Sequence, residues 1–297
     1  MASPRPVRTN KTEDQITAEV VERFEGTPDP RLRRIMQSLV RHAHAFVKDV
    51  ELTEAEWFQA IQFLTRTGQM CSDKRQEFIL LSDTLGISMV VDLICHRKDD
   101  GITESTVFGP FHREGVAEVP MGSNIATEDP NGEPAVMSGR VLDPDGNPIQ
   151  NALLDVWQAD SAGLYDSQHT ETENLRLRGI FRTGADGRYW FRTSRPVAYP
   201  IPDDGPVGDM LKASKRHPWR PAHVHFMVTA PGFEHVTTHV FESADKYLLS
   251  DTVFGVKDSL ITDFVRSETP DELAAGVGIT GPFYRANYDF FLQPARS

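Results

Sequence analysis

Apolar residues recur at steps of three and four through the first third of the chain, then give way to short alternating runs. Within residues 30–50, Leu32, Met36, Leu39, Ala43, Phe46 and Val47 follow helical spacing apart from the last adjacent pair, which predicts one long helix. A second helix is predicted to begin at Thr53, where Thr53 and Glu56 have the spacing of a capping box. Its buried stripe is Trp57, Ala60, Ile61 and Leu64. A third runs from about Lys74 to Leu85, and the MVVDLICH segment after it can add a turn or two. These stripes predict the core of a helical bundle.

After about residue 100, Pro and Gly become frequent and the helical period fades. Alternating or β-branched runs at 135–142, 152–159, 188–193, 223–230 and 235–241 predict strands. Turn clusters such as DPDGNP and GADG separate them. Strands so spaced, with no helical crossovers between them, predict an antiparallel sandwich. The expected fold is therefore α+β, with a helical domain over 1–105 and a mainly antiparallel β-sandwich domain over 106–297.

Composition narrows the function. A formal net charge of −12 gives no basic footprint for nucleic acid and no electrostatic attraction to anionic lipid. Two cysteines, Cys71 and Cys95, exclude a four-cysteine metal site and read as two buried structural thiols. The polar opening MASPRPVRTNKTEDQ lacks the apolar segment of a signal peptide, and no apolar run reaches the roughly 20 residues of a membrane span. The cytoplasm is the expected compartment.

The densest chemistry lies in WRPAHVHFMV. His223 and His225 are two apart in a predicted strand, so both imidazoles share one face, about 6–7 Å apart at the backbone. One metal ion can take both, although a pair of solvent-facing histidines on an edge strand has the same spacing. His42 and His44 are also two apart, but on a predicted helix, where such residues do not face each other. No HxE or HxD pattern surrounds His223, so the carboxylate triad that suits iron(II) is not in view. Two tyrosines stand at strand ends instead, Tyr165 in GLYD and Tyr199 in AYPIP.

Taken together, GLYD, AYPIP and RPAHVHF resemble the signature of the intradiol ring-cleavage dioxygenases, in order and in approximate spacing. The resemblance implies one iron(III) per subunit, held by Tyr165, Tyr199, His223 and His225. Phenolate is a hard anionic donor suited to a hard trivalent acid, and two phenolates with a hydroxide balance its charge. The resemblance further implies that Tyr199 takes a proton from a substrate diol and that Arg220 stabilises negative charge on the ring. ESTVFGPFH and LLSDTLG resemble the hydroxyquinol branch of the family. They imply a pocket of Leu80, Asp83, Val107, Phe108, Gly109, Pro110 and Phe111, completed by Ile201, Pro202 and Val253. Asp83 is expected to accept a hydrogen bond from a third ring hydroxyl, although on its helix it can also face solvent. The expected reaction is ortho cleavage of benzene-1,2,4-triol with dioxygen to 3-hydroxy-cis,cis-muconate, the enol form of maleylacetate.

Cleavage of catechol or chlorocatechol is the alternative reaction, and a non-catalytic β-sandwich binding module the alternative of another kind. Many catechol-type members have glutamine near the position of His239, so no role is assigned to that side chain. By resemblance, the N-terminal helices pair two subunits into a homodimer and enclose a phospholipid tail.

Overall fold

A computed structural model describes residues 10–72, 75–169 and 175–295. Its helices are α1 (Glu13–Arg23), α2 (Pro30–Asp49), α3 (Glu54–Gln69), α4 (Glu77–Thr84) and α5 (Ile87–Cys95), with the shorter α6 (Pro206–Ala213) and α7 (Glu272–Gly276) further on. The strands are β1 (Pro134–Leu142), β2 (Leu153–Trp157), β3 (Arg178–Arg182), β4 (Arg188–Ser194), β5 (Tyr199–Pro200) and β6 (Trp219–Arg220). They continue with β7 (His223–Thr229), β8 (Val236–Glu242), β9 (Ile261–Thr262), β10 (Val265–Ser267), β11 (Phe283–Asn287) and β12 (Phe290–Phe291).

The chain divides into two compact units, Met1–Thr65 and Arg66–Ser297. In the first, each helix starts on a cap. Thr12 and Gln15 form a capping box for α1, and the Asp29 carboxylate accepts from the N–H groups of Arg31 and Leu32 beside Pro30. The expected box at Thr53 is present: Thr53 N–H donates to Glu56 Oε2 at 2.9 Å, and Glu56 N–H donates back to Thr53 Oγ1 at 3.3 Å. The bundle core predicted from α2 is not formed within the chain. No residue of α1 or α2 is buried, and Leu32, Leu39, Phe46 and Val47 are exposed. His42 and His44 bond different partners, the Ser38 carbonyl and the Thr17 hydroxyl.

The division falls well before the change of pattern near residue 105, because α4 and α5 build the second unit. Glu77 at the start of α4 is fully buried and accepts from the Val207 N–H of α6 at 3.1 Å. Met89 of α5 packs with Val107, Ile201, Leu211 and Val253. Gly86, at φ 73°, turns the chain sharply between α4 and α5, so MVVDLICH belongs to a separate helix. Lys74 lies outside the described residues, as does the opening stretch 1–9. Cys71 is half-buried and Cys95 is exposed, both as free thiols, so neither is the buried structural thiol expected. No single helix among the described residues is long and apolar enough to cross a membrane.

Two five-stranded sheets make the sandwich. One runs β10-β11-β1-β12, with β4 also on β1, and the other runs β3-β2-β7-β8-β9. Most pairs are antiparallel, but β11 and β12 run parallel to β1, and β9 parallel to β8. Met137, Val141 and Phe191 of one sheet meet Leu154, Val156, Phe226 and Val228 of the other. Along β7, Val224, Phe226 and Val228 face this core. Alternation then sends His223 and His225 to the outer face. The same rule sends Trp157 out from β2 and His239 out from β8. Register places Trp157, His225 and His239 directly across from one another.

Truncating Phe226, which is fully buried between the sheets, is expected to cost about 3–5 kcal/mol of stability. Chemical denaturation of Phe226→Ala checks this. A loss below about 1 kcal/mol contradicts the assignment of faces on β7.

Candidate active site

Three chain segments bring four donor atoms together on the outer face of the second sheet. Tyr165 comes from the loop after β2. Tyr199 lies on β5, whose two-residue ladder with β6 sets it opposite Arg220. His223 and His225 come from β7. Tyr165 Oη lies 2.7 Å from His225 Nε2 and 3.0 Å from Tyr199 Oη. Tyr199 Oη lies 3.5 Å from His223 Nε2, and the two Nε2 atoms are 3.2 Å apart. All four residues are buried.

Aromatic packing fixes the rings. His225 stacks on Trp157 at 4.7 Å, and Tyr165 stacks on Phe111 at 4.3 Å. Tyr165 and Tyr199 meet edge to face at 5.3 Å. Gly109 has φ 76°, and a Cβ there would meet His225 Cε1 at 3.3 Å, so glycine lets the 107–111 strip lie against the imidazole.

Electrostatics keep the imidazoles neutral. Burial, with the Arg220 guanidinium beside it, pushes His223 down to about 3. Burial and the neighbouring His223 hold His225 well below the ordinary histidine value. The His223 Nδ1–H donates to the Pro221 carbonyl at 2.7 Å, which leaves the Nε2 lone pair aimed at the other donors. Burial, and then Tyr199 alongside, push the Tyr165 phenol well above its ordinary value. Only a strongly charged cation would draw a phenolate out of such a site. Two phenols and two imidazoles, buried and converging within 3.5 Å of their neighbours, fit a hard trivalent ion.

Arg220 is buried, not stacked on the surface against Trp219, whose ring lies flat on Tyr247. Its Nε–H and Nη2–H donate to the two carboxylate oxygens of Asp251, each at 3.2 Å. Burial pushes Asp251 up, but Arg220 and the Gly255 N–H outweigh it and hold the carboxyl below its usual range. Asp251 thereby fixes a permanent charge whose Nη1 lies 3.4 Å from His223 Nε2.

Ring nitrogens of His223, His225 and His239 also lie within 4.8 Å of one another, a second possible donor set. His239 stacks on His223 at 4.5 Å, and its Nδ1 is 3.4 Å from Arg220 Nη2. Three neutral imidazoles leave a trivalent charge unbalanced, whereas two phenols can ionise to offset it. The tyrosine-containing set is therefore the better metal site.

A cavity of about 100 Å³ opens beside the donors. Leu80, Asp83, Val107, Gly109, Pro110, Phe111, Ile201, Pro202 and Val253 line it, together with Tyr199 and Arg220. Phe108 does not. It is half exposed and its ring turns to His112 and Trp157, at 5.0 and 5.9 Å. Asp83 faces the cavity, not solvent. Burial pushes its carboxyl up, against the pull of Ser88 and of the Arg220 charge. Arg75, Gln76, Glu77 and Ile79 also line the cavity. The first three lie in a polar stretch that reads as the solvated start of a helix, and only the Arg75–Glu77 pair at 2.8 Å shows why such groups can sit inward.

Comparison with known proteins shows the family. A family model described as dioxygenase matches residues 108–294, and one described as catechol dioxygenase N terminus matches residues 29–103. A 6-chlorohydroxyquinol 1,2-dioxygenase of Cupriavidus pinatubonensis is 52% identical over 94% of this chain and 96% of its own length. A hydroxyquinol 1,2-dioxygenase of a Rhizobium species is 50% identical over 94% and 95%. The crystal structure of hydroxyquinol 1,2-dioxygenase from Pseudomonas putida DLL-E4 superposes with a TM-score of 0.91 at 51% identity, covering 95% of this chain and 99% of that one. The chain belongs to the intradiol ring-cleavage dioxygenase family.

Proposed function

We propose that the protein is a hydroxyquinol 1,2-dioxygenase, which opens benzene-1,2,4-triol between its adjacent hydroxylated carbons and keeps both atoms of dioxygen in a 3-hydroxymuconate. The observation that carries this reading is the convergence of Tyr165, Tyr199, His223 and His225 beside a cavity lined by Tyr199 and Asp83. Relatives bearing hydroxyquinol names, at 50–52% identity over nearly the full chain, support the same substrate.

Tyr165, Tyr199, His223 and His225 would hold iron(III), one per subunit. When bound, iron(III) supplies a Lewis-acid and electron-accepting centre that draws in the diol oxygens as anions and makes the ring reactive toward dioxygen. The protein does the rest. Tyr199, at the cavity wall, accepts a substrate hydroxyl proton at Oη. Arg220, locked by Asp251, faces the ring with a charge that cannot be lost and stabilises the negative charge that builds there. Leu80, Val107, Ile201 and Val253 clasp the ring and exclude water. Asp83 takes the third hydroxyl. Each carbon of the broken bond gains one oxygen atom and ends as a carboxyl, so both oxygens are conserved in the product. Phe108 does not line this cavity but lines an adjoining one with Asp83, Val107 and Gly109.

A catechol or chlorocatechol has no hydroxyl to meet Asp83, and a buried carboxyl left without its partner penalises that substrate. Asp83→Ala is expected to lower kcat/KM for hydroxyquinol by about 10- to 150-fold, as for loss of a hydrogen bond to a charged group. Catechol turnover should change far less. Steady-state kinetics on both substrates check this, and equal losses would remove Asp83 from substrate recognition.

Phenolate on iron(III) also predicts colour. Purified protein loaded with iron(III) should be red-purple, and chelation should bleach it and stop turnover together. Tyr199→Phe is expected to retain part of the visible band through Tyr165 while turnover falls by about 10²–10⁴. Colourless protein that takes up no iron would favour a non-catalytic binding module.

The exposed apolar stripe of α2 supports pairing of two chains through the N-terminal helices, and the family resemblance adds a lipid tail held between them. Native mass spectrometry should give the mass of two chains, with additional mass of lipid size. A single-chain mass removes the pairing, and two chains without added mass remove the lipid.

A further inference from the structure

We propose that Arg178 is a positioning residue that sets the distance between the Tyr165 phenol and the His225 imidazole, acting through Asp166 and the Phe111 carbonyl. The inference rests on the reading of these two residues as iron ligands.

Tyr165 and His225 lie on pieces of chain with different anchors. His225 is built into the centre of a sheet. Tyr165 belongs to a loop that joins no strand, and its own N–H donates only locally, to Gln168 Oε1 at 2.9 Å. Something must hold that loop against the sheet if the 2.7 Å separation is to be kept. Arg178 opens β3 directly across from Trp157, which stands directly across from His225. The four residues Arg178, Trp157, His225 and His239 thus form one row across four strands.

From the end of this row a buried guanidinium reaches the loop. Its Nε–H donates to Asp166 Oδ2 at 2.8 Å, and its Nη2–H donates to Oδ1 at 2.6 Å. Two parallel bonds fix orientation as well as distance. Asp166 is the residue next to Tyr165, and Arg113 Nη1–H steadies it from the other side at 3.2 Å. Arg178 Nη2–H also donates to the Phe111 carbonyl. The Phe111 ring is the one stacked on Tyr165, and it forms part of the cavity wall. One side chain therefore ties together the sheet, the loop bearing a donor phenol and a wall of the substrate cavity. It lines no part of the cavity itself. Lysine can supply the charge but not the fork.

Iron-loaded wild type, Arg178→Lys, Arg178→Gln and Asp166→Asn should be compared with Arg182→Gln, which removes an exposed guanidinium from the same strand. The readouts are the visible phenolate-to-iron band, the rate of iron loss to a chelator, and kcat with KM for hydroxyquinol. Variants at Arg178 and Asp166 are expected to be folded by circular dichroism, with a shifted or weakened band. Iron loss should be about 10- to 100-fold faster, and KM should rise as the Phe111 wall loosens. Arg182→Gln should match wild type. If Arg178→Gln does not fold, Arg178→Lys and Asp166→Asn decide. Folded variants with the wild-type band and iron retention overturn the inference while leaving the ligand reading intact. A wild-type protein without the band overturns the ligand reading, and the inference with it.

Discussion

Strand β7 has to serve two environments with seven residues. Its inward positions, Val224, Phe226 and Val228, complete an apolar core between two sheets. Its outward positions, His223 and His225, would be costly to bury as polar groups without partners. The sequence alternates accordingly, and a slip of one residue in register would bury the imidazoles in the core and turn the phenylalanine outward. The proposed metal-donor set therefore depends on the register that the sandwich fixes. Neighbouring strands extend the same outer face, bringing Trp157 and His239 into line with His225.

Charge is arranged around this face with equal economy. Arg220 is a permanent buried cation, and its carboxylate partner Asp251 is itself held by N–H groups of the wall segment at Val253 and Gly255. The imidazoles nearby stay neutral, since burial and that cation both oppose protonation. A further cation can enter only if it brings anions into being, and the phenols are the groups able to supply them. On the proposed reading, metal loading and phenol ionisation would be one event, not two.

Much of this was legible in the sequence. The long helices announced themselves by period and caps, and the five principal strands by alternation. The two histidines of β7 were placed on one face by spacing alone. The tyrosines were not: nothing local distinguishes Tyr165 or Tyr199 from packing residues, and only their order relative to RPAHVHF carried them. Helix α1 begins inside the polar opening, where no apolar stripe marks its start, and was not predicted. Strand β3 was missed because Arg178 and Arg182 flank a run of only three residues, too short to show alternation, although Arg178 is buried by its pairing with Asp166. Strands β9, β10 and β12 are too short for any period to register. Phe108 was placed inside the pocket with its neighbours, yet the strip turns its ring outward. Such errors share a cause, because burial of a polar group or exposure of an aromatic one depends on partners distant in sequence.

The α4 residues that line the cavity stand on a different element from the proposed metal donors. The proposed metal donors come from the loop after β2, from β5 and from β7, whereas Asp83, Leu80 and Ile79 come from a helix that packs on α6 through the buried Glu77. A change on α4 leaves the sheet register untouched. Asp83 is raised by burial but faces the field of Arg220, which favours its charged form. Its carboxyl is consequently held between two demands that a substrate hydroxyl can reconcile, since a hydrogen bond to the carboxylate replaces the water that burial removed. A ring lacking that hydroxyl leaves the conflict in place. On the proposed reading, discrimination would arise from a buried carboxyl on one helix and reactivity from donors on a sheet, so the two can be altered separately.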